Sequence, residues 1–69
     1  MNHRIIAERT EPGGSTIKEW HMVRSGEGKP MCGRSIDLSE TELPADAWGT
    51  ERAMPFCHTC GALYLREVP

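Results

Sequence analysis

The sequence predicts a small metal-stapled α+β fold, a β-hairpin followed by a short C-terminal helix, and three observations carry that prediction. The chain has 69 residues, too few to bury enough apolar surface to offset its conformational entropy without a staple. It has three cysteines, an odd number that leaves one thiol over in any disulfide scheme, so a metal is the better staple. Two of them, Cys57 and Cys60, enclose two residues in "PFCHTCGALY", a spacing at which two thiolates grip one side of an ion without closing a tetrahedral shell.

Residues 1–15 read as an N-terminal arm or short strand, with "HRIIAERT" followed by the turn signal "EPGGS". Residues 16–69 read as a single metal-binding domain. Its first element is "TIKEWHMVR", Thr16 to Arg24, whose β-branched and aromatic residues suit a pleated surface. "SGEG" then turns the chain, with Gly26-Glu27 as a two-residue hairpin loop, and "KPMCGRSI" returns as the second strand.

That loop sets a register. His21 falls opposite Cys32, flanked on the same face by the pairs Ile17–Ile36, Glu19–Arg34 and Val23–Pro30. Opposed side chains have Cβ atoms ~5 Å apart, close enough for an imidazole and a thiolate to converge on one ion. One opposed pair, Arg24 with Lys29, is a like-charge match that disfavours the register. The acidic stretch 37–55, "DLSETELPADAWGTERAMP", holds one candidate helical turn at "LPADAW", with Pro at an early helical position. "GALYLREV" after Cys60 reads as a short helix, although Leu63, Leu65 and Val68 also permit a strand.

The candidate metal shell is therefore His21, Cys32, Cys57 and Cys60, one Cys3His set that uses every cysteine. Thiolates and an imidazole in a tetrahedral shell select zinc or iron over calcium and magnesium, and iron–sulfur clusters more often want four cysteines, which leaves one Zn²⁺ per chain as the expectation. His58 and His3 are the rival histidines. His58 lies inside the Cys-x2-Cys loop, where side chains between two ligands point away from the metal, and His3 lies in the arm. Trp20, Met22, Met31 and Lys29 share the other face of the hairpin. They either form a basic, aromatic docking surface or pack as a small core under the arm or the C-terminal segment.

The residues "WH" at 20 and 21, "CGR" at 32 to 34, Trp48 and "CHTCGALYL" at 57 to 65 resemble small zinc-finger-like proteins of actinobacteria and their phages. The resemblance covers about residues 20 to 65. It implies a zinc-finger-like hairpin, metal ligands at His21, Cys32, Cys57 and Cys60, and no assigned activity. The arrangement is also similar to a treble clef or zinc ribbon in which His21 and Cys32 replace the usual first Cys-x2-Cys knuckle.

Net charge is −2, too small to imply a nucleic-acid partner, but the halves differ. Through Arg34 the chain carries six Lys/Arg and four Asp/Glu; from Ser35 onward it carries two and six. Any polyanion contact thus belongs to the first half, at Lys18, Arg24, Lys29 and Arg34. The reading that asks least of the sequence is a zinc-stapled adaptor or regulatory accessory that binds another protein; the alternative is a nucleic-acid-binding zinc-finger protein. Catalysis is not expected. "PFCHTC" resembles half of a zinc deaminase site, but the Glu which that chemistry needs two residues after the first ligand is replaced by Val23 or Arg34. With no apolar run of bilayer-spanning length and no secretory-type start, the expected location is cytoplasmic.

Overall fold

The computed structural model describes residues 3–11, 13–24 and 26–67. Pro12, Ser25 and Val68, which belong to the turn signals and the C-terminal pattern above, lie outside the described residues. The fold is a small α+β unit: three antiparallel strands, β1 (His3–Arg9), β2 (Ile17–Arg24) and β3 (Glu42–Pro44), in the order β2-β1-β3, and a C-terminal helix α1 (His58–Glu67).

The hairpin is built from different strands than the sequence predicts. β2 pairs with β1, Ile6 facing His21 and Ala7 facing Trp20, so the short-strand alternative describes His3–Arg9 and makes it the middle strand. The segment 29–36 forms no strand. Pro30 has no N–H to give to a ladder and Gly33 weakens an extended run, whereas "RIIA" supplies consecutive apolar residues that suit a strand buried on both faces. Ile5, Ile6 and Ala7 are accordingly all fully buried. The turn after β2 closes one residue earlier than the Gly26-Glu27 loop: the Glu27 N–H donates to the Arg24 carbonyl at 3.1 Å, and Gly26 sits third in the turn with φ +82°, a value that glycine adopts without steric cost.

One point of the expected register survives. The Met31 N–H donates to the Met22 carbonyl at 2.8 Å, so His21 and Cys32 are still neighbours although their segments do not form a ladder. The charge pairs are rearranged. Arg34 bonds Glu8 rather than Glu19, and Arg24 is drawn from Lys29 to Glu67, its Nε donating at 2.7 Å.

Trp20 is 5% exposed, and Met22 and Met31 join it in a core with Ile5, Ala7, Ala47, Ala53, Cys57 and Cys60. The docking-surface alternative for Trp20, Met22 and Met31 is therefore wrong: helix α1 and the chain before it cover that face. In the acidic stretch, Pro44 ends β3 and caps a 3-10 turn at Ala45–Ala47, with a second at Glu51–Ala53. Three-residue β3 was not foreseen, because so short a strand shows no period. Trp48 stacks edge-on against Phe56 at 5.3 Å between ring centres, and Gly61 is required beneath it: a Cβ there would lie 2.9 Å from the Phe56 ring.

Candidate metal centre

The site sits against the outer edge of β2. Backbone N–H and C=O groups point alternately to either side of a strand, and Trp20 turns both of its groups away from β1. Its N–H donates to the Pro55 carbonyl at 2.9 Å and its carbonyl accepts the Cys57 N–H at 2.8 Å. The Met22 carbonyl, two residues on, takes Met31. The loops bearing Cys57 and Cys32 are thus docked on either side of His21, the residue between.

Helix α1 begins immediately after Cys57. Gly61 N–H donates to the Cys57 carbonyl at 2.9 Å, the first helical bond, and the Cys60 N–H points at the Cys57 sulfur at 3.5 Å. Cys57 therefore stands where a Ser or Asp N-cap stands, and Cys60 lies in the first turn. The helix reading of this segment holds. Ala62, Leu63, Leu65 and Arg66 are strong helix formers, and the Cys-x2-Cys spacing supplies the cap.

On the Cys32 side, the Gly33 N–H closes a turn onto the Pro30 carbonyl at 2.8 Å. This lifts Cys32 toward the ring of His21, with Sγ 3.5 Å from Nδ1; Cys60 Sγ approaches the same nitrogen at 3.7 Å. One ligand atom from each of His21, Cys32, Cys57 and Cys60 lies within 4.8 Å of every other, a group able to hold a metal ion. His21 and Cys60 are wholly buried, Cys57 is nearly so, and Cys32 is half-buried. The rival histidines are elsewhere. His58 is exposed and packs against Phe56 with ring centres 5.0 Å apart, while His3 Nε2 meets Glu67 at 3.1 Å.

Burial shapes the thiols. Without a cation it pushes Cys60 up to about 12 and Cys57 above its ordinary value, so both are protonated at neutral pH. A bound cation reverses this logic by compensating the thiolates directly.

Glu8 is the residue that sequence reasoning missed. It stands opposite Glu19 across the β1–β2 ladder, and its Oε1 lies 2.7 Å from His21 Nε2; Glu19 Oε2 is 3.4 Å from the same nitrogen. Arg34 Nε donates to Glu8 Oε2 at 3.0 Å, and Lys18 Nζ is 4.0 Å away. Desolvation alone pushes the Glu8 carboxyl up, but the His21 hydrogen bond and the Arg34 guanidinium outweigh it and hold the group below its usual range. The only available signal was the alternation of Ile6 and Glu8, which becomes informative once β1 is known to pair with β2. Compared with protein-family models, curated proteins and solved structures, the chain matches none, and the site is defined by its own geometry.

Proposed function

We propose that the protein is a structural-zinc protein that acts as an adaptor or regulatory accessory for another protein, with Zn²⁺ held by His21, Cys32, Cys57 and Cys60. The observation that carries the zinc reading is a pair of distances. A tetrahedral ion with Zn–S of ~2.3 Å and Zn–N of ~2.0 Å holds N and S about 3.5 Å apart, against 3.5 and 3.7 Å between His21 Nδ1 and the sulfurs of Cys32 and Cys60. Four side chains fill a tetrahedral shell and leave no position for a reacting water, which favours a structural over a catalytic metal.

The nucleic-acid alternative is weakened by how the basic residues are spent. Of Lys18, Arg24, Lys29 and Arg34, Arg24 is bonded to Glu67, and Arg34 and Lys18 converge on Glu8; neutralised cations release few phosphate counterions. The interaction reading is supported by the apolar side chains left in solvent, Leu65 at 72% and Met54 at 54% exposed. None of the described helices is long and apolar enough to cross a membrane.

Native mass spectrometry tests the zinc reading. The expected result is one zinc per chain, with most of the tertiary structure lost when the metal is removed; a metal-free, well-folded monomer overturns it. A steep salt dependence of DNA or RNA binding would move the function to the alternative.

A further inference from the structure

We propose that Glu8 is the positioning residue of the metal centre: its carboxylate takes the Nε2–H of His21, fixes the ring in the tautomer that offers the Nδ1 lone pair to the ion, and is itself aimed by Arg34. This rests on the reading that the four-residue group holds zinc, and it assigns a role to two residues outside that group.

The geometry leaves His21 few choices. Its Nδ1 faces the sulfurs of Cys32 and Cys60, at 3.5 and 3.7 Å, while its Nε2 faces Glu8 Oε1 at 2.7 Å. A carboxylate beside a guanidinium is an acceptor and nothing else, so Nε2 must carry a proton, and the neutral ring then offers its lone pair at Nδ1. The 2.7 Å separation is that of a charge-assisted bond, whereas Glu19 Oε2, 3.4 Å from the same nitrogen, is a near charge that makes no hydrogen bond to it. A ligating histidine whose second nitrogen bonds a carboxylate is both oriented and made more basic, and loss of such a partner costs about ten- to hundredfold in metal affinity.

Arg34 completes the chain of contacts. Its Nε occupies Glu8 Oε2 at 3.0 Å, which leaves Oε1 for the imidazole. Arg34 is also two residues beyond Cys32, so the loop that delivers a thiolate also delivers the group that aims the carboxylate. Glu8 accepts from a different donor on each oxygen, and glutamine cannot. In Glu8→Gln, one of the two donors must face an NH2 group, and Arg34 cannot change its protonation to suit.

That conflict supplies a test with a sign that a merely structural role would not produce. Zinc affinity is measured by chelator competition on the full chain, and ring chemistry by nitrogen-15 NMR of the cadmium-113-loaded protein. The wild type should show cadmium coupled to Nδ1 of His21 and a slowly exchanging proton on Nε2. Glu8→Ala should weaken zinc by about tenfold or more and speed that exchange, and Glu19→Gln should stay within about twofold, as its long contact implies. Arg34→Ala alone should weaken binding modestly, yet in the Glu8→Gln background it should restore affinity, because the amide can then turn its oxygen to Nε2. Should Glu8→Ala not fold, the Glu8→Gln and Glu8→Gln/Arg34→Ala pair carries the same test. Metal on Nε2, wild-type affinity in Glu8→Ala, or additive losses in the double variant would overturn the assignment while leaving the zinc site standing. A wild-type chain that takes up no metal would remove both.

Discussion

The two loops that bring cysteine to the edge of β2 are held in different ways. The Cys57/Cys60 loop is tied to Trp20 by two backbone hydrogen bonds, runs straight into α1, and buries both sulfurs. The Cys32 loop is tied to Met22 by one backbone bond and a tight turn, and leaves its sulfur half-buried. One half of the shell is thus assembled by secondary structure and core packing. The other rests on fewer backbone anchors, with the Arg34–Glu8 contact beside them.

The largest expected effect breaks the ordered half. Cys60→Ala removes a proposed zinc ligand that is also part of the core, and structural zinc supplies ~10–16 kcal/mol in comparably small domains. The variant should lose zinc and helix together, seen as absent metal in native mass spectrometry and collapse of the helical circular dichroism signal. Cys32→Ala should also lose zinc tightness but retain more helix, since α1 does not start from it. Equal helix loss in both variants would mean that the two halves do not differ as their anchoring implies.

A somewhat smaller effect follows from removing only the metal. Hydrogen exchange after addition of a chelator should expose the amides of Met31 and Gly33 before those of Trp20, Cys57 and Gly61, because backbone bonds in loops open before those buried under packed elements. The reverse order would place the weak half at the helix.

How much of this was legible in the sequence depended on how local each signal was. Cys57, Cys60 and the helix that follows are set by contacts within a few residues, and they were readable. His21 and Cys32 were readable as neighbours because both lie a short turn apart, although the ladder expected around them does not form. β1 was harder: "RIIA" is too short for its period to separate arm from central strand, and its partner is chosen by what is left once Pro30 and Gly33 disqualify the other candidate. The alternation of Trp20 and Met22 against His21 was visible, but which face was covered depended on where α1 packed. Glu8 was out of reach for the same reason, since its meaning lies entirely in the β1–β2 register.

The pH profile sharpens the comparison on a smaller scale and with opposite signs for the loaded and stripped chain. In the stripped fold, burial raises Cys57 and takes Cys60 to about 12, above the ~8.5 of a free thiol. That contribution is fully present below the free-thiol value and is lost as pH rises toward the folded one. In the loaded fold the ligands are deprotonated, so stability is present at higher pH and is lost as acid returns their protons. Glu8, held below its usual range, adds a loss in the same direction on the acid side. Urea midpoints with zinc should therefore fall on acidification, whereas from neutral pH upward the residual structure under chelator should weaken once pH passes ~8.5. A stripped chain that gains stability across the alkaline range would show that burial does not govern these thiols.

The smallest effects belong to residues that the comparison places outside both halves. His58 stands between the two knuckle cysteines yet is exposed and turned to Phe56, and Leu65 projects from α1 at 72% exposure. Surface substitutions away from caps, core and ligands generally stay within ~0.5 kcal/mol. His58→Ala should accordingly leave zinc affinity and thermal midpoint near wild type, while His21→Ala loses the fourth ligand and loosens the Cys32 loop. Leu65→Glu should likewise keep both values, because neither the shell nor the Trp48–Phe56 pair rests on its side chain. The contrast between the two histidines is the more informative measurement. If His58→Ala released zinc and His21→Ala did not, the shell would have to close on the other side of the helix cap, and neither the docking of Cys57 on Trp20 nor the Glu8 contact would have a part in it.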